Sequence, residues 1–147
     1  MKIKMLLLLS LLTCGDDSPS TDSALVSFEC AHPPPNGLYF VSFDTLESEC
    51  GPLSSSATQV SDGVVELHES AGCELVSNGS SPRTCEINTV FECDDGIWEM
   101  RLDWSIKPDP QSEDRFVGVL YVDMLRFTGW TCTGTYGLTG ERINEDR

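Results

Sequence analysis

The chain has 147 residues, of which 24 are acidic and nine are basic, and its formal net charge is −15. A chain this acidic repels phosphate groups, which argues against nucleic acid and anionic membrane surfaces as electrostatic partners. The two histidines lie far apart and no cysteine pair has Cys-x-x-Cys spacing, so we expect no zinc site. There is also no Gly-rich phosphate loop and no dinucleotide fingerprint, and we therefore expect no cofactor.

The first 13 residues have a basic start followed by an apolar run, and the chain turns polar and acidic directly after Cys14. The apolar run is too short to span a bilayer, which takes about 20 residues, but it fits a secretory signal. Leu11 and Cys14 have the spacing found at the modified cysteine of bacterial lipoproteins, and the segment resembles such a precursor. Leu12 and Thr13 depart from the small residues usual there, and the alternative is an ordinary signal peptide cut after Cys14.

The lipoprotein resemblance implies a signal peptide over residues 1–13 and a lipid on Cys14 that holds the protein to a membrane of the cell envelope. Gly15 stands where an aspartate would retain such a protein in the inner membrane, so the resemblance favours the outer membrane. Residues 14–26 are acidic and polar, which predicts a flexible tether. The remaining residues, 27–147, fit a single domain.

Seven cysteines are an awkward number for an exported protein, because one of them cannot form a disulfide within the chain. If Cys14 carries lipid, six remain for three disulfides, which an oxidising compartment favours. The six candidates are Cys30, Cys50, Cys73, Cys85, Cys93 and Cys132.

After the tether, the pattern indicates short strands separated by turn signals. The expected strands span about 38–43, 59–60, 64–68, 74–76, 84–92, 97–106, 115–125 and 130–138. The clearest is 97–106, where apolar and charged residues alternate, as they do in a half-buried antiparallel strand. We therefore predict an all-β fold, an antiparallel β-sandwich or a small β-barrel of about seven or eight strands, stabilised by disulfides.

The disulfide pairing follows from one expected hairpin. If Asn78-Gly79 is its turn, Cys73 and Cys85 lie opposite each other and close enough to bridge. Pairs Cys30–Cys50 and Cys93–Cys132 then follow by elimination, although six cysteines allow 15 connectivities.

Several aromatic side chains fall on the expected inner faces of the strands. They fill an ordinary core or, in the alternative, line an apolar ligand cavity as in lipocalin-like proteins. These residues are Trp98, Trp104, Trp130, Tyr136 and Phe116. The spacing of Cys132, Gly134 and Tyr136 in the last strand resembles that of small β-domain bacterial lipoproteins, and it implies no activity.

His68, between Glu66 and Glu69, is the best candidate for acid–base chemistry. It has no accompanying nucleophile motif, and a surface histidine is the favoured interpretation. We therefore expect no catalytic residues and a non-enzymatic domain with a binding or structural role, whose partner is a protein or a small apolar ligand. The alternatives are a carrier of a small apolar ligand and, less favoured, an envelope hydrolase that uses His68.

Overall fold

The computed structural model describes residues 33–67 and 72–143 of the chain. Eight antiparallel strands form one sheet in the order β3-β2-β1-β8-β7-β6-β5-β4. Their bounds are β1 Gly37–Ser48, β2 Ser56–Ser61, β3 Val64–Glu66, β4 Cys73–Ser81, β5 Glu86–Asp94, β6 Trp98–Asp109, β7 Ser112–Arg126 and β8 Thr131–Arg142. The predicted all-β fold is confirmed, and the sheet curls into a nearly closed barrel rather than splitting into a sandwich.

The barrel closes between β3 and β5. The backbone N–H of Val65 on β3 donates a hydrogen bond to the hydroxyl of Thr89 on β5, with N and Oγ1 3.3 Å apart. Strand β4, at the other edge of the sheet, pairs only with β5, and all its residues except the two terminal ones are exposed. The interior is therefore built by the other seven strands.

Period-2 alternation explains which side chains fill the barrel, as strand β6 illustrates. Leu102, Trp104 and Ile106 are buried inside, whereas Arg101 and Asp103 point outward and form an ion pair with nitrogen and oxygen 3.0 Å apart. The neighbouring strands bury their alternate residues in the same way. The largest completely buried side chains are Tyr39, Tyr136, Phe116, Ile87 and Ile106.

The two ends of the barrel differ. We call the end at which the described chain begins, at Pro33 before β1, the proximal end, and the opposite end the distal end. The proximal end carries the β2–β3, β4–β5 and β6–β7 turns, and the distal end carries the loop 49–55 and the β5–β6 and β7–β8 turns.

Close packing at the proximal end depends on a glycine. The rings of Tyr39 and Phe116 lie with centroids 4.8 Å apart, and both side chains are completely buried. Gly140 on β8 pairs with Phe116 on β7, and a Cβ at Gly140 would lie 2.2 Å from the Phe116 ring. The glycine therefore makes room for the aromatic ring.

The expected hairpin turn at Asn78-Gly79 is wrong. Both residues lie within β4, where Asn78 pairs with Thr89 and Gly79 pairs with Asn88. The chain turns instead at residues 82–85, where the backbone N–H of Cys85 donates to the carbonyl of Ser81 at 3.0 Å. An Asn-Gly pair favours a turn, but the strand register overrides that local preference here.

The three predicted disulfide pairings are also wrong. Cys73 bonds to Cys93, which is its direct neighbour across β4 and β5 once the turn moves to 82–85. Cys50 bonds to Cys132 because the sheet places β1 beside β8. Cys85 is disulfide-bonded as well. The predicted lipidation site Cys14, the tether 14–26, Cys30 and His68 lie outside the described residues.

Candidate functional site

The five aromatic residues predicted to fill the core or line a cavity divide into a buried group, Trp104, Tyr136 and Phe116, and an outer pair, Trp98 and Trp130. Trp104 and Tyr136 lie in the core, with 4% and 0% of their surface exposed. The Tyr136 hydroxyl donates to the Gly51 carbonyl at 2.7 Å, and the Ser48 hydroxyl lies 2.5 Å from the same Tyr136 oxygen. These bonds hold the loop 49–55 against the distal end of the barrel, where Leu53 packs on the core.

The outer pair, Trp98 and Trp130, lies at the distal end near the surface. Their rings meet edge to face with centroids 5.8 Å apart, and Trp130 is 47% exposed. The guanidinium of Arg126 lies 4.9 Å from the centre of the Trp98 ring, which is a cation–π contact. By strand alternation these two tryptophans lie on the same inner face of the sheet as Trp104. They are, however, past the end of the packed core.

Two turns place further apolar side chains beside the tryptophans. The backbone N–H of Phe127, after β7, donates to the carbonyl of Ile97, before β6, at 3.1 Å. Ile97 is 55% exposed and Phe127 is 74% exposed. We call Ile97, Trp98, Phe127 and Trp130 the distal patch. Ile97 and Phe127 are not among the site residues expected from the sequence, because both lie just outside strands, in the turns before β6 and after β7.

A carboxylate holds the β5–β6 turn of the distal patch. One oxygen of Asp95 accepts hydrogen bonds from the backbone N–H groups of Ile97 and Trp98, each at 2.8 Å. These bonds favour the charged carboxylate and hold the pKa of Asp95 below its usual value. The turn also uses Gly96, whose φ of 80° is one that a residue with a side chain rarely adopts.

An acidic concavity of about 970 Å³ adjoins the distal patch. It is lined by Glu74, Glu92, Asp94, Glu99 and Asp123. The single guanidinium in this lining, that of Arg101, pairs with Glu92 at 3.4 Å and with Asp103 at 3.0 Å. Carboxylates therefore outnumber guanidinium groups five to one in this lining, which also contains Gly72, Met100, Leu125 and the Cys73–Cys93 disulfide.

A second, smaller concavity of about 680 Å³ lies at the proximal end, between Pro33 and the β6–β7 turn. Arg142 crosses it, donating to the Asn36 carbonyl at 2.9 Å and lying 3.9 Å from an oxygen of Asp114. Nearby, burial raises the pKa of the Tyr39 phenol, so its hydroxyl remains a donor to the Pro35 carbonyl at 2.7 Å. The basic group of this concavity, Arg142, is therefore already bonded to other residues of the chain.

Within residues 33–67 and 72–143, no three His, Cys, Asp or Glu side chains are placed so that they could hold a metal ion. The same part of the chain contains no helix that could cross a membrane. Comparisons of the chain with protein families, with curated proteins and with solved structures found no match.

Proposed function

We propose that this protein is a lipid-anchored component of the bacterial cell envelope whose β domain acts by binding another molecule. The anchor is Cys14, attached through the acidic tether 14–26 after removal of residues 1–13. The partner binds at the distal patch. Outer-membrane attachment is part of the proposal and rests on Gly15 after the modified cysteine.

The disulfide bonds of the domain are the main support for the proposal that the protein is exported. Cys50, Cys73, Cys85, Cys93 and Cys132 are all oxidised, and disulfides persist in the periplasm and at the cell surface but not in the reducing cytosol. If Cys14 is reserved for lipid, Cys30 is the one cysteine that remains for Cys85. All seven cysteines are then accounted for, one by the lipid and six by three disulfides.

The exposure of the distal patch supports a binding role. Four large apolar side chains lie together at the distal end of a strongly acidic chain, and exposed apolar clusters rimmed by polar residues mark interaction sites. Tryptophan in particular is enriched where proteins bind partners, because one ring combines a large apolar area with a polar N–H.

A second candidate function, the carrier of a small apolar ligand, rests on one buried atom. The indole nitrogen of Trp104 is buried and has no hydrogen-bond partner among the described residues. A buried donor without a partner is rare, and a ligand oxygen inside the barrel would supply the acceptor. The ring of Phe43 packs edge to face on Trp104 with centroids 6.0 Å apart, and a single unpartnered nitrogen is weaker support than the exposed distal patch, so we place this function second. Fatty-acid binding that is weakened by Trp104→Phe would favour it.

The mass of the intact protein, extracted from membranes, tests the proposed anchor. We expect a chain that begins at Cys14 and carries acyl groups, with six hydrogens gained on reduction of three disulfides. A chain cut elsewhere, or a free thiol on Cys14, would refute the anchor. Fractionation of inner and outer membranes then tests the proposed location.

A further inference from the structure

The distal patch and the acidic concavity form one continuous outer surface. On β7, Asp123 and Leu125 point to the same side because they are two residues apart, and Phe127 follows at the same interval. Leu125 pairs directly with Glu99 on β6. It is 41% exposed and also lines the acidic concavity. Apolar and acidic residues therefore meet without a gap.

Two pairs of like charges on this surface work against the stability of the sheet, beside the ion pairs of Arg101. Glu74 pairs directly with Glu92 across β4 and β5, and Asp94 pairs directly with Glu99 across β5 and β6. Like charges directly opposite each other in a sheet are destabilising. Positive charges from a partner would relieve this repulsion, and they would complement the carboxylates of the concavity.

The position of the surface argues against the bilayer as its occupant. The described chain begins at Pro33, which lies at the proximal end, opposite the distal patch. The carboxylates beside the patch would also be repelled by anionic lipid headgroups. The occupant must combine apolar side chains with positive charge.

We propose that the distal patch and the acidic concavity together bind a basic, amphipathic segment of a partner protein. Its apolar side chains cover Ile97, Leu125 and Phe127, and its lysines or arginines face the carboxylates of Glu99 and Asp123. This inference rests on the proposed binding role and is independent of the lipid on Cys14. The anchor and the docking surface therefore fail or succeed separately.

Binding of a labelled model peptide to purified full-length protein tests the inference. The probe is a short Lys/Leu peptide with an amphipathic helical pattern, and an all-lysine peptide of equal charge is the reference. We expect the amphipathic peptide to bind more tightly, to shift the fluorescence of Trp98 and Trp130, and to weaken between about 50 and about 300 mM salt. Failure of the amphipathic peptide to bind would overturn the inference.

Matched variants locate the binding surface. Phe127→Ser removes an exposed ring from the patch, and we expect about a tenfold loss of affinity. Phe40→Ser removes a ring that is 52% exposed on β1, outside the proposed surface, and should change affinity by less than about twofold. Equal losses in both variants would contradict the proposed location.

A second pair of variants tests the charges. Glu99→Gln with Asp123→Asn should weaken binding and flatten its salt dependence, whereas Glu66→Gln with Glu113→Gln removes two exposed charges elsewhere and should do neither. If the amphipathic Lys/Leu peptide and the all-lysine peptide bind equally well, net charge alone attracts them, which overturns the inference. Phe127-dependent binding to zwitterionic or anionic vesicles in place of the peptide would overturn it in favour of a membrane surface.

Discussion

The two ends of the barrel use their aromatic residues in opposite ways. At the proximal end Tyr39 and Phe116 are completely buried against each other. At the distal end Phe127 and Trp130 are 74% and 47% exposed. Both described disulfide pairs, Cys50–Cys132 and Cys73–Cys93, lie at the distal end, where their strands begin or end. The distal end thus combines two disulfides with exposed aromatic side chains, whereas the proximal end combines a buried aromatic pair with the disulfide-bonded Cys85 of the β4–β5 turn.

This difference indicates why the distal aromatics are available for a partner. A disulfide stabilises a fold independently of side-chain packing, mainly by restricting the unfolded chain. The aromatic side chains beside these disulfides add little to the packed core, since Phe127 and Trp130 are 74% and 47% exposed. They are therefore free to take part in binding.

The largest expected effect comes from removing the covalent link between β1 and β8. Cys50→Ser with Cys132→Ser removes a disulfide between residues 82 apart in sequence. Because the unfolded chain then loses the restraint of that closed loop, the free energy of unfolding should fall by about 4–5 kcal/mol. Urea unfolding of the double variant and of the wild type measures the loss.

The second disulfide is the control for that experiment. Cys73–Cys93 joins residues only 20 apart in sequence, so Cys73→Ser with Cys93→Ser should lower the free energy of unfolding by about 3 kcal/mol. A loss below about 1 kcal/mol for both double variants would show that packing, not covalent bonding, closes the distal end.

The next largest effect on the free energy of unfolding is expected when a phenylalanine is replaced by alanine, and the size of this effect should differ between the two ends. Phe116→Ala leaves a cavity beside Tyr39 and should lower the free energy of unfolding by about 3–5 kcal/mol. Phe127→Ala removes a mostly exposed ring and should change it by about 0.5 kcal/mol or less. Thermal and urea unfolding of the two variants measure both values. Comparable losses would mean that the distal patch belongs to the core, and the contrast between the ends would disappear.

Much of the fold could be predicted because alternation is a local signal. The pattern of Leu102, Trp104 and Ile106 against Arg101 and Asp103 predicts a half-buried strand without knowledge of its neighbours, and the structure confirms it. The strands expected near 59–60 and from 64 onward are likewise found, as β2 and β3, and they pair with each other.

The disulfide pairs could not be predicted because they depend on strand order and register. Nothing near Cys50 or Cys132 in the sequence says that β1 lies beside β8. The pairing of Cys73 depended on the hairpin turn, and a shift from residues 78–79 to residues 82–85 replaced Cys85 with Cys93 as its neighbour. Prediction of the site was limited in the same way. Alternation places Trp98 and Trp104 on one face of the sheet, but it does not say where along the barrel the packed core ends.

The smallest expected effect tests whether the distal patch is held by its own turn. Hydrogen bonds from the N–H groups of Ile97 and Trp98 lower the pKa of Asp95, so its charged form favours the folded state. A carboxyl with a lowered pKa contributes stability above its unfolded pKa and loses it as pH falls through the folded value. The contribution should therefore be complete at about pH 7 and should fade below about pH 4.

Asp95→Asn should accordingly reduce stability slightly at neutral pH and leave it unchanged at low pH. Urea midpoints of wild type and variant across this range measure the difference, with Asp44→Asn as the control, because Asp44 is an exposed carboxylate on β1 that accepts none of the described side-chain hydrogen bonds. An equal decrease at all pH values would mean that the charge of Asp95 does not hold the turn. If the charge does hold it, Asp95→Asn should also weaken peptide binding at neutral pH, since Ile97 and Trp98 are positioned by the same carboxylate that stabilises the turn.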